Sequence, residues 1–223
     1  GNGEEGLNAA ISTSPDLIIS DVMMPVMDGF ELCKEIKGDI RTSHIPVMLL
    51  TAKVSHESKI AGLSYGADDY ISKPFHMEEL QLRVKNILEH GKRQRDRIQL
   101  QLIRHDIDIT QNQVEEINPF LKKMFALLEV HLDNASFGIE DIIAELGMSR
   151  MTLFRKVKTL TGYAASDLIR NYRLNRAKEF LKEGSAISET AYKVGFNSLA
   201  YFSKCFRDLY RMTPSEFIRK HRN

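Results

Sequence analysis

Three side chains in the first third of the chain could together bind a phosphoryl group, and each follows a short apolar segment. Asp21 follows DLIIS, Thr51 follows IPVMLL and Lys73 follows DDYIS. A carboxylate at the end of a buried strand is costly unless a cation or a metal ion meets it. A carboxylate, a hydroxyl and an ammonium group together can bind and sense a phosphoryl group. The alternative is that Asp21 caps a turn and that the other two are unrelated loop residues.

The segments around these residues alternate between short apolar runs and amphipathic helical patterns. This alternation is typical of a parallel sheet with helices on both faces, in which reactive groups gather beyond the carboxyl ends of the strands. One helix is predicted at 55–66. Asp28 and Gly29 are predicted to form a turn in which the glycine adopts a conformation that the next helix start needs. Asp68 and Asp69 are predicted to be solvent-exposed.

The motifs DLIISDVMMPVMDG, LLTA and GADDYISKPF resemble the response-regulator receiver domain in order and spacing, over residues 1–90. The resemblance implies a flavodoxin-like α/β fold with Asp21 as the phospho-acceptor. It also implies that Thr51 and Lys73 bind the phosphoryl oxygens, that Tyr70 is an aromatic switch, and that the peptide bond before Pro74 is cis.

The Mg²⁺ site that this resemblance implies is incomplete in the sequence. Receivers hold the ion through the acceptor, here Asp21, through a backbone carbonyl, here that of Met23, and through an acidic pair at the end of the first strand. Only one helix, EEGLNAAIS, and one strand precede Asp21. The first strand with its acidic pair, the first helix and the second strand are absent, so the sheet should have an uncovered edge. We therefore expect weak Mg²⁺ binding and inefficient phosphorylation of this polypeptide alone.

The two halves of the chain differ in charge. Residues 1–90 carry 8 basic and 14 acidic side chains, whereas residues 91–223 carry 23 basic and 16 acidic ones. A basic half favours a nucleic-acid partner, although such an excess also occurs on ordinary solvated surfaces. No apolar run is long enough to predict a membrane span, and two separate cysteines exclude a cysteine-rich zinc site.

Residues 91–118 are predicted to be a linker with partial helix, and residues 119–223 a second, all-helical domain. The linker contains a basic cluster that is either a solvated face or a phosphate contact, namely Lys92, Arg93, Arg95 and Arg97. The stretch PFLKKMFALLEVHL, from Pro119, repeats apolar residues at helical spacing and is predicted to be the first helix of the second domain.

The second domain contains an internal repeat. IEDIIAELGMSR at 139–150 is similar to ISETAYKVGFNS at 187–198, and the helix that follows each copy continues the match. Each copy predicts a helix-turn-helix unit, with Gly147 or Gly195 at the bend. A long amphipathic helix, SDLIRNYRLNRAKEFLKEG, connects the two units. A rigid spacer of this kind can place two recognition helices ~34 Å apart, one turn of DNA.

The motifs LGMSRMTLFRKVK, RLNRAKEFL, ISETAYKVGFNSLAYFSKCF and MTPSEF resemble the AraC-type DNA-binding domain over residues 120–220. Helical spacing exposes polar faces on the second helix of each unit. Ser149 and Asn197 occupy the expected N-cap positions. The predicted DNA-binding residues are Arg150, Met151, Thr152, Arg155, Lys158, Ser198, Ala200, Ser203, Lys204 and Arg207.

These observations predict a cytoplasmic, sequence-specific transcription regulator without enzymatic activity, at the output end of a two-component phosphorelay. The expected partners are double-stranded DNA, an upstream histidine kinase that could share the polypeptide, and a second copy of the chain; no membrane contact is expected. Two alternatives stay open: an enzyme that forms an aspartyl phosphate, and a protein-interaction module. No general acid accompanies Asp21 to favour the enzyme.

Overall fold

The computed structural model describes residues 1–52, 65–104 and 118–221, with the backbone alone at 100–104. The chain divides into two compact units, Gly1–Gln99 with Met151–Gly162 and Leu100–Arg150 with Tyr163–Asn223. The helix predicted at 55–66 lies almost entirely outside the described residues, as does 105–117 of the predicted linker.

Three strands and ten helices make up the described part of the chain. They are α1 (Gly3–Thr13), β1 (Ile18–Asp21), α2 (Gly29–Gly38), β2 (Val47–Thr51), β3 (Asp69–Ser72), α3 (Met77–Arg104), α4 (Pro119–Val130), α5 (Ile139–Leu146), α6 (Arg150–Thr161), α7 (Ala165–Lys182), α8 (Ile187–Lys193), α9 (Leu199–Tyr210) and α10 (Pro214–His221). Among them, no helix is long and apolar enough to cross a membrane.

The first unit contains a parallel sheet in the order β1-β2-β3, as the sequence predicts for a receiver-like fold. Strand β1 pairs with β2 on one side only, so its other edge faces no described strand. Beside this edge, Ile19 is 44% exposed and lines an apolar groove of about 520 Å³ together with Leu80, Val84 and Leu88 of α3. Within the described part of the chain, this edge of β1 is unpaired, as predicted.

Helix α2 begins directly against the end of β1. The Asp28 carboxylate accepts hydrogen bonds from the backbone N–H groups of Phe30 and Glu31, both at 2.8 Å, which caps the helix. Gly29 has no positive φ, so the conformational reason predicted for it is wrong. A Cβ there would lie 2.3 Å from the backbone oxygen of Asp21, so close approach requires the glycine.

In the second unit, helix α4 begins at Pro119 as predicted, and the Asn118 side chain accepts the Phe120 N–H at 3.0 Å. Helix α7 packs against α4: the ring of Tyr172 stacks on Phe125, and its hydroxyl donates to Glu129 at 2.6 Å. These contacts place α7 in the interior of the unit.

The interior position of α7 corrects one expectation. The sequence predicts an amphipathic spacer, but α7 is buried around most of its circumference. Even two of its basic residues, Arg173 and Lys178, are only 8% and 2% exposed. Leu168, Leu174 and Ala177 share this burial, so the helix is a central element of the core.

Candidate functional site

The first candidate site lies at the carboxyl end of the sheet. Asp21 is the last residue of β1, Thr51 is the last of β2, and Lys73 follows the last residue of β3. Parallel strands end at the same edge, which brings the three residues together. The Lys73 ammonium forms an ion pair with Asp21, and the Lys73 N–H donates to the Thr51 carbonyl at 2.7 Å. The Lys73–Pro74 peptide bond is cis, as expected.

The electrostatics of this site favour an ionised carboxylate. The hydrogen bond from the Lys73 ammonium is the main reason why the pKa of Asp21 lies below its usual value, and the backbone N–H of Met23 adds a second hydrogen bond at 3.2 Å. The side chains of Asp21 and Lys73 stay 36% and 39% exposed. The pair can therefore meet an incoming phosphoryl group, for which a free carboxylate is the nucleophile and an ammonium the counter-charge.

Tyr70, the predicted aromatic switch, lies on β3 two residues before this edge. Burial raises the pKa of its hydroxyl to about 12. The hydroxyl oxygen is enclosed and has no hydrogen-bond partner among the described residues. The side chain therefore sits in an inward position, with its polar end unsatisfied.

The described residues do not form a complete Mg²⁺ site. The ion prefers six oxygen ligands and is held in proteins by carboxylates, water and substrate phosphates. Asp21 offers one carboxylate, already bound to Lys73, and Met23 offers a backbone carbonyl. No cluster of three metal-binding side chains occurs in the described ranges. These groups alone do not fit the ion.

The acidic residues after the bend at 66 have structural contacts. Asp68 is exposed as predicted, yet it forms an ion pair with Lys37 at 2.7 Å and accepts the Val47 N–H at 2.7 Å. Asp69 is partly buried and pairs with Arg83 at 2.9 Å. Both carboxylates thus fix β3 to neighbouring elements.

The second candidate site is the polar face of α9, in the second helix-turn-helix unit. Gly195, at the bend after α8, has a φ of 74°, which confirms the predicted role of this glycine. Phe202 and Phe206 are fully buried and anchor α9 to the core. On the opposite side lie the predicted DNA-binding residues Ala200, Lys204 and Arg207, which are exposed, and Ser203, which is half-buried.

Ser198 is the N-cap of α9, a role that the sequence pattern predicts for Asn197. Its hydroxyl accepts the Tyr201 N–H at 3.3 Å and caps α9, so the N-cap predicted at Asn197 is wrong by one position. A capping hydroxyl is already engaged, which limits Ser198 as a DNA contact.

Helix α6 carries the predicted readers of the first helix-turn-helix unit, and Gly147, before it, has a φ of 61° as expected for the bend. Met151 is 58% exposed, whereas Thr152 is only 7% exposed. Arg155 is half-buried, and its guanidinium donates to the Ser12 carbonyl at 2.5 Å. The exposed Arg150 forms an ion pair with Glu140 at 2.9 Å, and the exposed Lys158 donates to the Gly162 carbonyl at 2.6 Å.

Arg173 is the residue that the sequence reasoning missed. An Arg-rich helix resembles a solvated face, yet at about 100° per residue Arg173 falls between Ile169 and Ala177 on the circumference of α7. Both neighbours are buried. That placement was the available signal.

Family models match both parts of the chain. The model of the response regulator receiver domain matches residues 1–85, and the model of a helix-turn-helix domain matches residues 142–220. The receiver match contains the first candidate site, and the helix-turn-helix match contains the second.

Individual relatives match the chain over different lengths. The chain is 44% identical to histidine kinase P4 of Formosa agariphila over 221 residues, 99% of this chain but 16% of that protein. It is 42% identical to response regulator ArlR of Staphylococcus haemolyticus, over 48% of this chain and 47% of that one. It thus spans about half or less of these curated relatives.

Among solved structures, the receiver domain of a signal transduction histidine kinase from Syntrophus aciditrophicus is 44% identical, over 41% of this chain and 70% of that one, with a TM-score of 0.39. The family models thus find a response regulator receiver domain at residues 1–85 and an AraC-type helix-turn-helix domain at residues 142–220 of this chain.

Proposed function

We propose that this chain is a sequence-specific DNA-binding segment of a transcription regulator, without enzymatic activity of its own, whose output is controlled by phosphorylation of Asp21. The observation that carries the DNA-binding part is the division of α9 into two faces. Phe202 and Phe206 are buried, while Lys204 and Arg207 on the other side are exposed. A helix held in this way can enter the major groove and contact bases and phosphates.

The base contacts are assigned to both helix-turn-helix units. Arg155 on α6 is proposed to read guanine edges, for which a guanidinium is suited, and Ser203 and Lys204 on α9 to contact bases or phosphates. Met151 and Ala200 offer apolar contacts, for instance with thymine methyl groups. The exposed Arg150, Lys158 and Arg207 complete the proposed interface, whereas Thr152, which is 7% exposed, and Ser198, which caps α9, are proposed to support it from its edge.

The input is assigned to the carboxyl end of the sheet. In a complete receiver, a carboxylate oxygen of Asp21 would form a P–O bond as the P–N bond of a phosphohistidine breaks and the imidazole leaves with the electron pair. Lys73 and Thr51 would then bind the phosphoryl oxygens, and Tyr70 would respond to the occupied site. The name of the Formosa agariphila relative supports a histidine kinase as the donor.

The partners follow from this assignment. Double-stranded DNA and a histidine kinase as partners support the proposal that the chain acts in the cytoplasm. A second copy of the chain is proposed as a further partner, because two-fold symmetric binding is common in helix-turn-helix regulators. Sedimentation with and without bound duplex measures that stoichiometry.

Selection of duplexes from a random library with the full chain tests the proposed function. We expect an enriched sequence, and binding to it that weakens steeply as salt rises from about 50 to about 200 mM, because released counterions drive the association. A variant with Lys204 and Arg207 both changed to Ala should lose most of this binding. Enrichment of no sequence, or affinity independent of salt, would contradict DNA binding and favour a protein-interaction module.

A further inference from the structure

Arg173 is a buried cation that has no carboxylate partner among the described residues. It lies in the middle of α7 and is 8% exposed. Burial lowers the pKa of its guanidinium, and no described carboxylate compensates for the lost hydration. A buried charge of this kind is tolerated only where hydrogen-bond acceptors replace water. The acceptors therefore show what the residue does.

The acceptors belong to two separate parts of the DNA-binding domain. One terminal nitrogen of Arg173 donates to the Gly195 carbonyl at 3.0 Å. The other donates to the carbonyls of Asn134, at 2.7 Å, and Phe137, at 3.1 Å. Gly195 is the bend of the second helix-turn-helix unit, whereas 134–137 is the loop that enters α5, the first helix of the first unit. A single side chain thus connects both units.

The backbone around Gly195 packs directly on this connection. A Cβ there would lie 2.9 Å from the central carbon of the Arg173 guanidinium and 2.6 Å from the Leu132 carbonyl oxygen. The positive φ of the bend and this close approach both require glycine. The bend and the loop consequently cannot shift past one another without breaking these contacts.

The loop is fixed on its own side. The Asn134 carboxamide oxygen accepts the Ser136 N–H at 3.0 Å, and the Phe137 ring stacks on His131 with centroids 4.3 Å apart. Because these contacts fix the loop, the hydrogen bonds of Arg173 fix the loop relative to the bend at Gly195.

We propose that Arg173 is a positioning residue that locks the entrance of the first helix-turn-helix unit to the bend of the second, and so fixes the spacing at which the two units read DNA. The part of this inference that concerns DNA rests on the proposed function. A planar guanidinium reaches three carbonyls from two nitrogens, which a single ammonium cannot do. A positive charge alone is therefore not sufficient to form these three hydrogen bonds.

The first test measures the geometry without DNA. Spin labels are attached at Glu145→Cys on α5 and Asp208→Cys on α9, both exposed positions, in a chain that also carries Cys33→Ala and Cys205→Ala. The distance between the labels reports the distance between the two helix-turn-helix units. We expect Arg173→Met and Arg173→Lys to shift or broaden the distance distribution. Arg176→Met is the matched control, because the ion pairs of Arg176 within the described residues are with Glu129 and Glu179 and not with either bend.

The second test uses a duplex selected by the wild-type chain, a version with one half-site scrambled, and a version with one base pair inserted between the half-sites. For Arg173→Lys, we expect about tenfold weaker binding to the full site, little change on the single half-site, and a smaller penalty for the insertion. A general loss of folded protein would instead weaken all three complexes equally, which thermal unfolding of each variant checks.

The outcomes separate the two claims. An unchanged distance distribution in Arg173→Lys, or full affinity with the wild-type insertion penalty, overturns the positioning role. If Arg173→Met does not fold, Arg173→Lys carries the test alone, because it retains the charge and most of the volume. If the wild-type chain selects no duplex, the proposed function fails, while the distance measurement still decides whether Arg173 holds the two units together.

Discussion

The ammonium group of Lys73 reaches the carboxylate of Asp21 across the end of the intervening strand β2. The pair joins residues 52 positions apart in the sequence, and it exists because β1 and β3 run parallel and end at the same edge. It is also the main cause of the lowered pKa of Asp21.

Replacing Lys73 by Met should therefore raise the pKa of Asp21. The substitution removes the hydrogen bond and the charge that lower this pKa, while burial of the carboxylate still raises it. A ¹³C NMR titration of the Asp21 carboxyl carbon measures this. Lys85→Met, on the exposed side of α3, is the matched control and should leave the titration unchanged. An unaltered midpoint in Lys73→Met would show that the ion pair does not form in solution.

Phosphorylation of this chain by a small phosphodonor with Mg²⁺ should stay well below one phosphoryl group per molecule. The described residues supply one carboxylate at this site, that of the acceptor Asp21 itself, which is too few to hold the ion that neutralises the incoming charge. Intact mass spectrometry after incubation measures the yield, with Asp21→Asn as the background. Stoichiometric, hydroxylamine-sensitive modification that is lost in Asp21→Asn would refute this expectation.

How far the sequence predicts the structure depends on whether a position is set by a strand end or by packing. The ends of parallel strands meet by geometry, so Asp21, Thr51 and Lys73 could be grouped in advance. The position of Arg173 between Ile169 and Ala177 on α7 indicates its burial, but its hydrogen-bond acceptors could not be predicted, since the surrounding loops supply them. The cap of α9 was misplaced because Asn197 and Ser198 are both good N-cap residues.

His44 should make the stability of the first unit depend on pH. Both ring nitrogens are enclosed without hydrogen-bond partners among the described residues. Burial first, and then the cations Lys156 and Lys37, lower the pKa of His44 from 6.5 to about 3. Below pH 6.5 the unfolded chain binds a proton that the folded chain does not, so stability present above this pH falls as the solution is acidified.

From about pH 7 to about pH 5 this effect should reduce the free energy of unfolding by about 2 kcal/mol. His44→Phe should lose this part of the pH dependence, whereas His76→Asn, at an exposed position, should retain it. Urea denaturation at both pH values measures the difference. Equal pH dependence in wild type and His44→Phe would mean that the imidazole is hydrated in solution.

Lys178 should destabilise the second unit at neutral pH. It is 2% exposed, and its ammonium lies 4.9 Å from the centre of the Tyr210 ring and 5.8 Å from that of Phe217. Burial, with a smaller effect of Lys182, lowers the pKa from 10.5 to about 7. Between these values the unfolded chain holds more protons, so stability should rise as pH increases from 7 to 10.5.

Lys178→Met keeps the aliphatic contacts and removes the charge. We expect it to raise the free energy of unfolding by about 1–3 kcal/mol near pH 7 and to flatten the rise at higher pH. Lys122→Met, on the exposed face of α4, is the control. A destabilised Lys178→Met would indicate that the two aromatic rings stabilise the ammonium by more than its burial costs.

Arg155→Ala should weaken binding to the selected duplex by about 1–3 kcal/mol. A guanidinium that pairs with a guanine edge both discriminates between bases and attracts the phosphates through its charge. Binding to a scrambled duplex should weaken less. Fluorescence anisotropy with both duplexes at one salt concentration measures the two losses.

Arg219→Ala removes the same charge from an exposed position on α10, outside either polar face, and serves as the control for this measurement. It should weaken the complexes with the selected and the scrambled duplex alike, and only slightly, because distant charges are screened. Equal losses on both duplexes for Arg155→Ala would assign that residue to the phosphate backbone. An unchanged affinity would move the reading face of the first helix-turn-helix unit to other residues of α6.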